Sequence, residues 1–283
     1  LTWQVSKPSN KAQQSCPIAD GCAAISMSQR ARKRFSQNFL RDPRIIERMV
    51  QAIHPLPGDQ IVEIGPGRGA LTQPLLASGA ELHMLEIDRD LAARLQLEYA
   101  RHTNAHLHVG DALEMDFAAI TNSRKFRLAG NLPYNVSTPI LFHVLQWSSL
   151  VADVHFMLQR EVVERMAAIP GNRTWGRLSI MCQYHFSVTQ LFDVPPEAFS
   201  PAPKVQSSVV RLLPHAQPPV PIKSMESFRK LVGQSFTMRR KTLRNCMRGL
   251  LEVGQIESVG IDPGLRPESL GLEQFAALAN LMD

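Results

Sequence analysis

The sequence predicts an α/β fold: a doubly wound, mostly parallel sheet followed by a small all-helical C-terminal domain. Three observations carry this expectation. Short apolar runs alternate with helical stretches between residues 60 and 169. A glycine-rich turn joins the first of these runs to the helix behind it. Beyond the stiff, proline-rich stretch 214–221 (PHAQPPVP) only helical patterns remain.

In chain order, 60–65 reads as a strand, 70–78 as a helix, 81–88 as a strand, 89–102 as a helix and 105–110 as a strand. A strand over 126–129, a helix around 139–147, a buried strand over 153–158 and a helix over 162–169 follow. Two late strands, near 189–194 and 207–213, are joined by a proline-rich loop. Such a βαβα succession places ligands at the carboxyl ends of the strands. Residues 1–26 are polar, rich in Ser and Gln and without an apolar period, so they are expected to be disordered, with Met27 as a candidate start. The expected organisation is that extension, a domain over 27–214, and a helical domain over 215–283 that packs on it, being too small for a core of its own.

Composition narrows the classes. No run of 18 apolar residues predicts a membrane span, and 1–26 carry neither a signal-peptide core nor the arginines of an organelle transit peptide. A formal charge of +6 makes a polyanionic partner plausible, and its distribution says more than its size. Arg30, Arg32, Lys33 and Arg34 form one basic cluster. Arg229, Lys230, Arg239, Arg240, Lys241, Arg244 and Arg248 form another, with no Asp or Glu from 229 to 248. Two such runs point towards RNA, although each alone reads as a solvated face. Cys16, Cys22, Cys182 and Cys246 form no C-x-x-C pair, which argues against zinc and a disulfide framework and suits a reducing cytoplasm. His106 and His108 share one face of a strand, a spacing that suits a half-exposed strand better than a metal site.

The motifs carry the chemistry. Glu63-Ile64-Gly65-Pro66-Gly67-Arg68-Gly69 follows the first strand and opens a helix, and its glycines permit a tight turn and close approach to a ligand. Glu86 ends the next strand, where a carboxylate can accept both hydroxyl hydrogens of a ribose. Asp111 ends the third, where it can accept from an adenine amino group or cap a helix. A dinucleotide site expects G-x-G-x-x-G; the order here is E-x-G-x-G-x-G, with acids after the second and third strands. That pattern belongs to Rossmann-like domains that bind S-adenosylmethionine and transfer its methyl group. Asn131-Leu132-Pro133-Tyr134 then follows the fourth predicted strand, at the same sheet edge. An adenine N6 is a poor nucleophile because its lone pair is delocalised into the ring. The Asn131 side-chain carbonyl and the Leu132 or Pro133 main-chain carbonyl can accept its two hydrogens and free that lone pair. Pro133 stiffens the backbone, and Tyr134 offers a face to a splayed-out base. Taken alone, the same four residues also read as a plain turn.

From residue 30 onwards the chain resembles the KsgA/RsmA family of ribosomal RNA small-subunit adenine dimethyltransferases. The resemblance rests on Arg32-Lys33-Arg34-Phe35-Ser36-Gln37-Asn38-Phe39-Leu40, the 63–69 loop, Leu85-Glu86-Ile87-Asp88, Gly110-Asp111-Ala112 and Asn131–Tyr134. It continues through Phe156-Met157-Leu158-Gln159-Arg160-Glu161-Val162, Gly176-Arg177-Leu178-Ser179, Phe199-Ser200-Pro201-Ala202-Pro203-Lys204-Val205 and Arg239-Arg240-Lys241-Thr242-Leu243-Arg244-Asn245. It implies that Asn38, Leu40, Gly65, Glu86, Asp111 and Asn131 hold S-adenosylmethionine, and that Phe199 stacks the target adenine opposite Tyr134; a core anchor is the alternative for Phe199. It implies as substrate two adjacent adenosines in the 3′-terminal hairpin loop of 16S rRNA within a 30S particle, each receiving two methyls. The expected protein is a cytoplasmic monomer, without metal, whose Arg239, Arg240, Lys241 and Arg244 meet RNA. Related large-subunit methylases tend to carry Asn-Ile-Pro-Tyr or Asn-Ile-Pro-Phe at the strip, and DNA adenine methyltransferases a Pro where Leu132 stands. A non-catalytic assembly factor with the same fold is a different class, against which the intact Glu86, Asp111, Asn131 and Tyr134 argue. Ser36, where the family often has Gly, and Arg68, where it often has an aliphatic residue, depart from the pattern.

Overall fold

A computed structural model of the chain describes residues 37–238 and 240–282. The extension 1–26, the cluster Arg30, Arg32, Lys33 and Arg34, Ser36 and Arg239 lie outside the described residues. The described chain opens with β1 (Phe39–Leu40) and α1 (Pro43–Ile53), then β2 (Gln60–Ile64), α2 (Thr72–Ala77), β3 (Glu81–Glu86), α3 (Arg89–Glu98) and β4 (Ala105–Val109). It continues with α4 (Phe117–Ile120), β5 (Phe126–Asn131), α5 (Ser137–Val144), β6 (Val151–Gln159), α6 (Arg160–Met166) and α7 (Arg177–His185). Next come β7 (Phe186–Val194), β8 (Phe199–Ser200) and β9 (Ser207–Pro214), then α8 (Met225–Ser235), α9 (Leu243–Cys246), α10 (Val253–Ser258) and α11 (Leu272–Ala279).

Seven strands form one sheet in the order β4-β3-β2-β5-β6-β9-β7. The first five run parallel, β9 pairs antiparallel with β6, and β7 pairs antiparallel with β9. All five residues of β2 are buried because helices cover both faces of the sheet, which is why its sequence shows no polar alternation. On one face Ile61, Leu82, Met84, Ala129 and Met157 share a cluster with Ile45, Met49 and Ile53 of α1. On the other, Val62, Ile64, Leu85 and Leu128 meet Phe117, Ile140 and Leu141.

Differences from the sequence expectation have local causes. α1 is not among the elements expected from the sequence, although Asp42 caps it through Arg44 N–H at 2.9 Å, Pro43 fills its first turn, and Ile45, Met49 and Ile53 recur every fourth residue. It precedes the first predicted strand, so the alternating rhythm did not point to it. α7 was also missed, and α3 stops at Glu98 rather than 102. β5 runs on to Asn131, which carries the first residue of the strip to the sheet edge. That extension needs a glycine: a Cβ on Gly130 would lie 2.5 Å from the Ile64 carbonyl oxygen of neighbouring β2. His106 and His108 stand on β4 and stack with His83 of β3, centroids 4.9 and 5.3 Å away. Burial lowers the His83 pKa to about 4, so it is neutral at pH 7.

The C-terminal helices share a core with the α/β part. Trp175, 1% exposed, donates its indole N–H to the Leu270 carbonyl at 2.9 Å, and Tyr184 and Phe228 lie 5.1 Å apart. The described residues cluster as one compact unit.

At the amino ends of the strands, Arg127 binds both oxygens of Asp153 (2.9 and 2.7 Å) and Asp59 at 2.8 Å. It also donates to the carbonyls of Ile53 and His54, which end α1. Removing it takes the cation from two carboxylates, leaving Asp59 the Leu56 N–H and Asp153 its contact with His155, and takes a donor from two carbonyls. Arg127→Ala is therefore expected to lower unfolding free energy by roughly 2–3 kcal/mol, read from denaturant midpoints, with Arg127→Lys recovering only part of it. An unchanged midpoint would show that α1 is held without this cluster.

Candidate active site

At the carboxyl ends of β2, β3, β4 and β5 a single cavity gathers Asn38, Leu40, Gly65, Glu86, Asp111, Asn131, Leu132, Pro133 and Tyr134. Three pieces of chain converge there. The glycine turn after β2 holds Gly65, Gly67 and Gly69 at φ of +69°, +58° and +82°, where a Cβ is strained. β3 and β4 deliver their acids, and β5 delivers the strip.

Glu86 is buried, and each of its oxygens accepts one backbone N–H, from Gly67 at 3.0 Å and from Asp88 at 2.9 Å. Burial raises its pKa, and those two bonds oppose the rise. Asp111 accepts from Leu113 N–H at 2.9 Å, so capping a turn and lining the cavity coexist in one residue. Glu63 lies deeper, buried, with the Thr72 hydroxyl donating to it at 2.7 Å; burial pushes its pKa from 4.5 to about 7.

Asn131 donates its amide N–H to the Asn38 main-chain oxygen at 2.9 Å, which turns its Oδ1 away from that partner. Leu132 N–H is taken by Met157 O at 3.2 Å and Pro133 O by Val136 N–H at 3.2 Å. The Leu132 carbonyl oxygen accepts no hydrogen bond among the described residues, so of the two carbonyls weighed from the sequence it is the one available. The Tyr134 hydroxyl meets Ser207 Oγ at 2.6 Å. Burial raises the Tyr134 pKa against that bond, so the ring is fixed as a neutral wall.

One expectation is not met by the placement of its residue. Phe199 does not line the cavity: it is 1% exposed, pairs with Leu40 across the β1–β8 ladder and belongs to the core. A ring with no exposed face cannot stack a base in this conformation, and the core-anchor alternative describes it. Arg240, Lys241 and Arg244 are exposed and stand outside the cavity wall, so the cationic surface and the pocket are separate features.

Sequence reasoning missed three participants. Gln37 donates to Asp88 at 3.2 Å, and Phe39 packs so closely on the glycine turn that a Cβ on Gly67 would come within 3.2 Å of its ring. Residues 37–40 thus form a strap over the cavity. Ser207 lies two residues beyond the Phe199–Val205 motif, and its burial at a strand start gives no sequence signal of a partner 73 positions away.

The donor set fits S-adenosylmethionine. Two carboxylates on adjacent strand ends suit a hydroxyl pair and a base amino group, Ile87 and Ala112 supply apolar surface between them, and the glycine turn leaves room alongside. No group of three or more His, Cys, Asp and Glu residues is placed to hold a metal among the described residues.

Residues 28–283 match the family described as Ribosomal RNA adenine dimethylase. The chain belongs to this family. Within the ribosomal RNA adenine dimethylase family, the chain is 53% identical over 252 residues to the Ribosomal RNA small subunit methyltransferase A of Pseudomonas aeruginosa, covering 89% of this chain and 94% of that one. It is 48% identical over 260 residues to the protein of the same name from Vibrio cholerae, covering 92% and 96%. Among solved structures, a dimethyladenosine transferase from Plasmodium falciparum superposes with a TM-score of 0.71 at 24% identity, covering 85% of this chain and 95% of that one. The 23S rRNA methyltransferase ErmE does so with a TM-score of 0.67 at 25% identity, covering 86% and 98%. The family's fold is therefore the Rossmann-like methyltransferase fold seen here, and the chain is an enzyme of that class.

The protonation of Glu63 gives a test of the buried floor. Between pH 4.5 and 7 the folded protein keeps a proton that the unfolded chain releases, so stability falls as pH rises through that window. Glu63→Gln is expected to remove this slope, gaining roughly 3 kcal/mol relative to wild type between pH 4.5 and pH 8. Parallel stability–pH curves for the two proteins would place the carboxyl in a wetter setting.

Proposed function

We propose that the chain dimethylates N6 of two adjacent adenosines in the 3′-terminal hairpin loop of 16S rRNA, within a 30S particle, using S-adenosylmethionine. The observation that carries this reading is the orientation of Asn131. With its N–H committed to Asn38, its Oδ1 and the Leu132 carbonyl are the two acceptors that the strip offers. Two acceptors on a rigid backbone match the two hydrogens of an exocyclic amine.

Asn38, Leu40, Gly65, Glu86, Asp111 and Asn131 would hold the cofactor, with Glu86 accepting from its ribose hydroxyls and Asp111 from its adenine. Bound S-adenosylmethionine supplies a methyl group on a sulfonium that leaves as a neutral thioether. Asn131 Oδ1 and Leu132 O draw the amine hydrogens aside, which favours a pyramidal nitrogen with its lone pair free. Tyr134, braced by Ser207, offers a stacking face worth roughly 1–3 kcal/mol. No residue need act as a strong base, since an ammonium product gives its proton to water. Arg240, Lys241 and Arg244, all exposed and without a salt bridge among the described residues, would meet the RNA backbone together with Arg239. The protein would work as a monomer in the cytoplasm, where small subunits are assembled.

Labelled S-adenosylmethionine and unmethylated 30S particles are expected to yield N6,N6-dimethyladenosine after nucleoside digestion, and Asn131→Ala to cut turnover by roughly a hundredfold or more while particle binding survives. Label confined to 23S RNA, or an undiminished Asn131→Ala rate, would sink the assignment. Replacing Arg240, Lys241 and Arg244 with Ala is expected to weaken particle binding and to reduce the slope of log affinity against log salt by about two. An unchanged slope would move the RNA contact elsewhere.

A further inference from the structure

Among the described residues, Arg68 is the only cationic one in the cavity wall, beside Glu63, Glu86 and Asp111. Its guanidinium carbon lies 4.4 Å over the Phe39 ring, and that ring rests in turn on Gly67. The strap residue Phe39 is thus a platform that holds an exposed cation at the rim of the glycine turn.

The sheet order says which part of the cofactor meets it. With Asp111 after β4 and Glu86 after β3 taking the adenine and ribose ends, the molecule lies across the strand ends towards β2 and β5. Its methyl-bearing sulfur would face the strip after β5. The remaining amino-acid end would then fall between the glycine turn and the strap, beside Arg68. That end carries an ammonium and a carboxylate. The carboxylates of Glu86 and Asp111 suit the cationic centres but repel the carboxylate, and among the described residues Arg68 is the one wall group of opposite sign. A guanidinium presents paired N–H donors to both oxygens of a carboxylate, and the Phe39 ring limits the freedom it would lose on binding.

We infer that Arg68, seated on Phe39, anchors the α-carboxylate of the cofactor; this rests on the S-adenosylmethionine reading given above. The role follows from two features of this chain, the cation at position 68 and the aromatic ring beneath it.

Calorimetric titration of the wild-type protein, Arg68→Leu and Arg68→Lys with S-adenosylmethionine and with decarboxylated S-adenosylmethionine, without RNA, tests it. The two ligands differ only in the carboxylate. Arg68→Leu is expected to weaken S-adenosylmethionine binding about tenfold, the low end for a charged hydrogen bond because the site is exposed, and to leave the decarboxylated ligand within about twofold. Arg68→Lys is expected to fall between, keeping the charge and losing the paired donors. Retained binding of the decarboxylated ligand also shows that the variant is folded. Equal loss for both ligands would assign Arg68 to the shape of the turn, and loss for neither, with weaker hairpin RNA binding, would assign it to a phosphate; each overturns the inference. If the wild-type protein binds neither ligand, the cofactor reading itself fails.

Discussion

The 2.9 Å bond from the Asn131 amide to the Asn38 carbonyl joins two segments 93 positions apart, and the working geometry of the cavity hangs on it. Without it, the amide of Asn131 has no fixed sense, and either its oxygen or its nitrogen can face the ligand. The bond also ties the strap to the strip. The same strap reaches Asp88 through Gln37, the glycine turn through Phe39, and β8 through its ladder at Leu40. Four loops that the sheet alone would leave independent are thereby held as one wall.

The deeper constraint is backbone proximity. β5 approaches β2 so closely at Gly130 that no side chain fits, and this brings Asn131 beside the turn that follows β2. Parallel neighbours whose strand ends carry different chemistry are the usual way an open α/β sheet builds a site. Here the ends carry, in order across the sheet, Asp111, Glu86, the glycine turn and the strip. Their order in space differs from their order in sequence, since the strip's strand lies beside β2 and not beside β4.

Much of this is legible in the sequence. The glycine turn, Glu86, Asp111 and Asn131 are each short-range signals: a residue type at the end of an apolar run. Periodicity locates the run, and the residue type names the chemistry. What escaped depends on partners distant in sequence. The pairing of Phe199 with Leu40 turned an expected stacking ring into a core anchor, and nothing near residue 199 announces that. Ser207 behind Tyr134 and Arg127 beneath α1 escaped for the same reason. α1 was a different kind of miss, because its capping residue and four-residue apolar spacing were local and readable.

The strip offers two acceptors, and that number sets an arithmetic for repeated transfer. In the proposed reaction an unmodified adenine amine would bring two hydrogens and satisfy both Asn131 Oδ1 and Leu132 O. An amine that already carries one methyl brings one hydrogen, so one of these oxygens must face carbon instead. Either the amide or the carbonyl then goes without its partner at the moment of the second transfer. On that reading a clamp that activates the first reaction would be mismatched to the second by one hydrogen bond, and the product with two methyls would retain no donor with which to hold on. Release of the finished base would then follow from the count of hydrogens.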